Sequence, residues 1–268
     1  MTVPDAPSTH EPERIALATG PVSYVDEGPK DAPAVVLVHG IPGSARDFRW
    51  LTPALIGLRG LRVEMPGFGA TPLATGPGPS VEARAQFLVS FLDALALSNV
   101  ILVGHSMGGV VATAAADLAP ERVAGVGLVA SPGLRVHRGF RQFGSRRALS
   151  AALRVPGVAF ATGGLLQRAF RGAGFRHCSR AEVIHTIHCV AATSIPDHAR
   201  RLERLQLPAF HAFCEDDPLV EVAITSETAR TLGGPALRFS TGGHNPQKHH
   251  AVELGAALRT WVTELGLT

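Results

Sequence analysis

Short, unbroken apolar runs recur along the chain at AVVLV (34–38), LRVEM (61–65), NVILVG (99–104) and VAGVGLVA (123–130). Runs of this kind suit parallel strands covered on both faces, because neither face then needs polar positions. Between them apolar residues return every three or four positions, which predicts helices over roughly 44–58, 80–97 and 107–118, the second opened by Ser80 as N-cap. Strand and helix in alternation make an α/β protein with a doubly wound, mostly parallel sheet. Ahead of it, IALATG and VSYVDEG alternate on either side of Gly20-Pro21 and predict an edge hairpin.

The alternation stops at Ser131-Pro132-Gly133 and resumes at AFHAFC (209–214), a strand, followed by a helix over 222–232, a strand over 236–240 and a helix over 249–265. The stretch between is helical in propensity, and Ser179-Arg180-Ala181-Glu182 has the form of a capping box. The expected organisation is a polar, Pro-rich flexible tail over 1–13, a core from 14–133 and 207–268, and an inserted helical cap over 134–206.

With 268 residues, 46% of them hydrophobic, the chain can bury one sizeable core. Its longest apolar stretch, 100–119, is interrupted by His105, Ser106, a glycine pair and Asp117, so no membrane span is expected. The N-terminus carries acids and no apolar stretch of the secretory kind. Three cysteines, Cys178, Cys189 and Cys214, suit a reducing compartment rather than a disulfide framework, and a cytoplasmic location is expected.

The net charge of +3 hides an uneven distribution: Arg135, Arg138, Arg141, Arg146, Arg147, Arg154, Arg168, Arg171, Arg176 and Arg180 occupy a stretch without a single Asp or Glu. Some of these would pair with core acids or simply be solvated. One or two could face a cleft and hold a carboxylate or phosphate of the substrate, and contact with an anionic membrane surface is a third reading. The stretch lacks the interleaved aromatics of a nucleic-acid surface, so nucleic acid is not an expected partner.

Gly104-His105-Ser106-Met107-Gly108-Gly109 sits between a buried strand and an Ala-rich helix, the context in which a G-x-S-x-G turn presents a nucleophilic serine. A serine hydroxyl needs a base within hydrogen-bond reach and a carboxylate to orient that base. The strand over 123–130 ends in Ala130-Ser131-Pro132 without an acid, whereas Glu215-Asp216-Asp217-Pro218 follows the next strand. Asp217 is the expected orienting acid, with Asp216 as its rival, and His244 in Gly242-Gly243-His244 is the expected base. His249 and His250 are assigned to a solvated surface. The oxyanion hole needs two amides, expected from Met107 and from Ile41 in His39-Gly40-Ile41-Pro42-Gly43. His177, Cys178, His185, His188 and Cys189 have some of the spacing of metal ligands, but no carboxylate lies beside them. Neither metal nor organic cofactor is expected.

Carried by HGIPGS, PGFG (66–69), GHSMGG, EDDPLV and GGHNPQ in that order, the chain resembles the α/β-hydrolase superfamily from residue 15 to the last helix. The resemblance implies a sheet of about eight strands, a cap after the sixth, and an active site between cap and core. Glu64 stands where the family usually has Asp. Relatives that open epoxides or remove halides carry Asp where this chain has Ser106. Epoxide opening also uses cap tyrosines, but the single tyrosine here is Tyr24, in the hairpin, and dehalogenases place a Trp where Met107 stands. The activity implied is hydrolysis of an ester or thioester of a small to medium acyl substrate through an acyl-enzyme. Two alternatives stay open: carbon–carbon hydrolysis of a vinylogous keto acid, although such enzymes usually show Asn in place of His105, and a ligand-binding receptor that hardly turns over.

Overall fold

A computed structural model describes residues 6–76, 78–142 and 144–267; the first five positions of the expected tail lie outside the described residues. Eight strands, β1 (Glu13–Leu17), β2 (Gly20–Glu27), β3 (Ala34–Val38), β4 (Arg59–Val63), β5 (Val100–His105), β6 (Val123–Val129), β7 (Ala209–Cys214) and β8 (Ala236–Phe239), form one sheet in the order β1-β2-β4-β3-β5-β6-β7-β8. β2 alone runs opposite to the other seven strands, and β1–β2 is the expected hairpin.

Helices α1 (Val81–Ala94) and α2 (Met107–Leu118) cover one face, where Val36, Val38, Leu61 and Leu102 meet Leu88, Phe91 and Val110. Between β6 and β7 the chain runs through α3 (Arg138–Gln142), α4 (Arg146–Ala152), α5 (Pro156–Gly172), α6 (Arg180–Ala192) and α7 (Ile195–Glu203). After β7 come α8 (Val222–Leu232), the short α9 (Pro246–His249) and α10 (Ala251–Glu264). On the other face Val35, Leu37, Ile101 and Val103 pack against Phe48, Leu51, Leu254 and Trp261. Successive residues of β3, and of β5 as far as Val103, therefore enter opposite cores, which is why these two runs contain no polar slot, whereas the buried Arg62 of β4 is paired with Glu27. Truncating one such side chain, as in Leu102→Ala, costs about 2–5 kcal/mol.

The helix expected over 44–58 is absent. Its place is taken by two 3₁₀ turns, Ala45–Phe48 and Thr52–Ala54, after which β4 begins at Arg59. The periodicity that suggested it is real, since Phe48, Leu51, Leu55 and Leu58 are all buried. Pro53 supplies no N–H, and the amides of Leu51, Ala54 and Leu58 reach only to the carbonyls three residues back.

The terminal helix also starts later than expected, with His250 as a joint between α9 and α10. At that joint His250 is half-buried, stacking on Phe239 at 3.9 Å and meeting the Thr241 carbonyl at 2.7 Å, and His249 is exposed. At the other end, the Ser8 amide donates to the Arg49 carbonyl (2.7 Å) and Arg62 donates to the Ser8 hydroxyl (2.8 Å), so the stretch expected as a flexible tail is tied to the core from Ser8 onward.

The helices between β6 and β7 have their own small core of Leu153, Phe170, Cys178, Val183 and Ile187. The capping box at α6 is present: Ser179 Oγ accepts from the Glu182 amide and Glu182 Oε2 from the Ser179 amide. Glu182 Oε1 also accepts from the Gly69 amide (3.3 Å), and His185 Nε2 meets the Pro66 carbonyl (3.1 Å), which ties α6 to the loop after β4. Among the described residues no helix is long and apolar enough to cross a membrane, and the three cysteines are free and buried.

Candidate active site

Ser106 is the single residue between β5 and α2, at φ 52° and ψ −127°. An L-residue is strained there, and the turn is held by the packing of strand and helix around it. A Cβ at Gly108 would lie 2.1 Å from the Val38 carbonyl oxygen, and one at Gly104 would lie 2.3 Å from the Gly109 nitrogen. Both motif glycines are therefore steric requirements of the turn.

The Ser106 hydroxyl meets His244 Nε2 at 2.8 Å, and His244 Nδ1 meets Asp217 Oδ2 at 2.8 Å. An ionised carboxylate only accepts, so Nδ1 carries the proton and Nε2 is left as the acceptor for the serine O–H. Asp217 is buried, and its Oδ1 accepts from the amides of Leu219 (2.8 Å) and Val220 (3.0 Å). Burial alone would raise its carboxyl, but the hydrogen bond and charge of His244, with those two amides, hold it below the usual range. The adjacent Asp216 turns elsewhere and accepts from the Gly243 amide (2.7 Å) and the Gly242 amide (3.3 Å). One acid meets the imidazole; its neighbour fixes the backbone of the loop that carries it.

Beneath this line lies His105, a residue to which the sequence assigns no role in the site. The buried ring of His105 meets the His244 carbonyl at 2.7 Å through Nε2. A carbonyl accepts, so Nε2 is the protonated nitrogen. Burial, with the nearby charge of His244, pushes this ring down to about 3, which keeps it neutral. The available signal was a polar residue ending an otherwise apolar buried strand.

Met107 opens α2 and Ile41 follows β3; among the described residues neither amide donates to an acceptor within the chain. The loop holding Ile41 lies against the serine, since a Cβ on Gly40 would be 3.0 Å from Ser106 Cβ. It is pinned by His39, whose Nδ1 donates to the Gly40 carbonyl (2.6 Å) while Nε2 accepts from the Met65 amide (3.0 Å). Burial lowers the pKa of His39 and keeps it neutral for this double role. Glu64 accepts from the amides of Ala70 (2.7 Å) and Ala45 (3.4 Å), joining the loops after β4 and β3.

Of the residues with metal-ligand spacing only His185 and Cys189 meet, Nε2 to Sγ at 3.5 Å. His185 is turned to Pro66, His188 Nδ1 meets Ser150 Oγ at 2.8 Å, and Cys178 Sγ donates to the Phe175 carbonyl. Among the described residues no group of three or more His, Cys, Asp or Glu is arranged to hold a metal ion. Of the arginines, Arg135 pairs with Glu227 and Arg141 with Glu221 on the α8 side. Arg146 and Arg147 line an open cleft of about 580 Å³ together with Val136, Thr193, Ser194 and Ile195.

Residues 33–162 match the family model described as the alpha/beta hydrolase fold. The chain is 32% identical over 124 residues to the dihydrolipoyllysine-residue acetyltransferase component of the acetoin cleaving system of Pseudomonas putida, covering 46% of this chain and 33% of that protein. It is 38% identical over 115 residues to an sn-1-specific diacylglycerol lipase of Mus musculus, covering 41% of this chain and 37% of the lipase. The chain thus spans little more than a third of the length of these relatives. Among solved structures, haloalkane dehalogenase DbeA of Bradyrhizobium elkani superposes with a TM-score of 0.76 at 20% identity, covering 96% of this chain and 98% of that one.

Proposed function

We propose that the chain, whose residues 33–162 match the alpha/beta hydrolase fold model, is a serine hydrolase that cleaves a carboxylic ester or thioester through an acyl-enzyme. The observation that carries the proposal is the unbroken line from Ser106 through His244 to Asp217, with both contacts at 2.8 Å. In the reaction His244 Nε2 takes the proton of Ser106 as Oγ attacks the acyl carbonyl. The oxyanion is held by the amides of Ile41 and Met107, whose N–H groups are uncommitted within the described residues. Asp217 keeps the imidazole in the required tautomer and stabilises it once protonated. The intermediate collapses, His244 returns the proton to the leaving alcohol or thiol, and water completes the cycle by the same route in reverse. The step uses no metal or organic cofactor.

The substrate class is a small to medium acyl compound. The proposal is tested by turnover of a panel of p-nitrophenyl esters and acyl thioesters. Hydrolysis by the native protein and its loss by at least about a thousandfold in Ser106→Ala is the expected result. Equal turnover by the two proteins would refute the assignment.

A further inference from the structure

The five helices between β6 and β7 do not all turn their apolar residues inward. Along α5, Ala159, Gly163, Leu166 and Phe170 recur at spacings of four, three and four and face α6. Gly163 sits so close to Arg180 that a Cβ there would lie 2.7 Å from its Cδ. Phe160 and Leu165, 79% and 72% exposed, stand on the two flanks of the solvent side, five positions and so about 140° apart, with Ala161, Gly164 and Arg168 between them, and Val155 just before the helix is 54% exposed. Both are large apolar side chains left in solvent by a helix whose inner face is already used.

Its surroundings are uniformly basic. Arg168 and Arg171 continue the exposed face, Arg154 precedes it, and the Arg180 guanidinium reaches over it, 3.4 Å from where a Gly164 Cβ would stand. Among the described residues none of these four takes part in an ion pair, in contrast to Arg135 and Arg141. The sequence offers no acid between Gly133 and Arg180, and Glu182 is held by the Ser179 and Gly69 amides.

We propose that the outer face of α5, with Phe160 and Leu165 framed by these arginines, docks the protein onto an anionic lipid surface. Large exposed apolar residues among unpaired cations match the boundary between lipid headgroups and hydrocarbon: the apolar tips enter the acyl region while the guanidinium groups meet phosphates. A second copy of the chain fits less well, because an isologous contact would bring two arginine clusters together. The proposal stands apart from the serine chemistry and does not depend on it.

The test is co-sedimentation of the full chain with vesicles of equimolar phosphatidylglycerol and phosphatidylcholine, beside vesicles of phosphatidylcholine alone. Binding to the anionic vesicles, weakened by added salt and absent from the neutral ones, is expected. The pairs Phe160→Ser with Leu165→Ser and Arg168→Ser with Arg171→Ser should each weaken it about tenfold or more. These exposed changes should leave the thermal melt and the hydrolytic activity on soluble esters unaltered. Wild-type protein left in the supernatant at low salt, or binding unaffected by the Phe160/Leu165 pair, would overturn the proposal. So would light scattering that shows a dimer dissolved by that same pair, since the face would then be covered by a second copy.

Discussion

The Nε2–H of His105 donates to the backbone carbonyl of His244 across 2.7 Å, joining the strand that ends beside Ser106 to the loop that carries His244. The two rings lie 5.1 Å apart, and Phe48 meets His105 edge-on. His244 is therefore held twice: through its ring by Asp217 and through its backbone by the residue beside Ser106.

His105→Ala removes the second hold while leaving every reacting atom in place. The expected result is a fall in kcat of about tenfold to a hundredfold with KM nearly unchanged, because small misplacements of a base are costly in rate. His105→Gln, which can still offer an N–H to the carbonyl, should recover part of it. A KM effect without a kcat effect would contradict this role.

The neighbouring acids should separate cleanly. Asp217→Asn removes the acceptor that fixes the imidazole tautomer and should cost about 10³–10⁴ in kcat. Asp216→Asn weakens only the hydrogen bonds to the Gly242 and Gly243 amides, and a loss of about tenfold or less is expected. Steady-state kinetics on one activated ester ranks the two.

Gly108→Ala would place a Cβ 2.1 Å from a backbone oxygen of β3, which neither strand nor helix can avoid by rotating a side chain. A loss of several kcal/mol, at least about 3, is expected, seen as a large drop in the thermal midpoint. Gly157→Ala in α5 meets nothing within 4 Å and should be neutral or stabilising by up to about 1 kcal/mol. Comparable destabilisation by the two would undermine the account of the elbow.

Burial holds His198 and His211 down to about 4. Each stays neutral in the native protein until the pH nears that value, whereas the unfolded chain takes up the proton near 6.5. The unfolded state thus binds more protons between those values, so stability falls as the pH drops through that window, by up to about 1.4 kcal/mol per pH unit for each histidine. His211→Gln should flatten the dependence of the urea midpoint between pH 6.5 and 4.5. An unchanged slope would show that His211 does not contribute.

Much of this is legible in the sequence alone. Central strands covered on both faces must be apolar throughout, so β3, β5 and β6 announced themselves, and α2 followed from the elbow that precedes it. What misled was periodicity without length: Phe48, Leu51, Leu55 and Leu58 have helical spacing, yet Pro53 leaves only single turns to bury them. Asp216 and Asp217 were indistinguishable as residue types, because the choice rests on how the loop after β7 turns; His105 went unassigned because its partner is a backbone carbonyl 139 residues away, which no side-chain pattern reveals.

The central claim, that His244 activates Ser106, is tested most directly by intact-mass analysis after reaction with a fluorophosphonate, which needs no knowledge of the substrate. Stoichiometric addition to the native protein, lost in Ser106→Ala and in His244→Ala, is the predicted result. A folded native protein that takes up no label, or a His244→Ala protein labelled at the native rate, would contradict it.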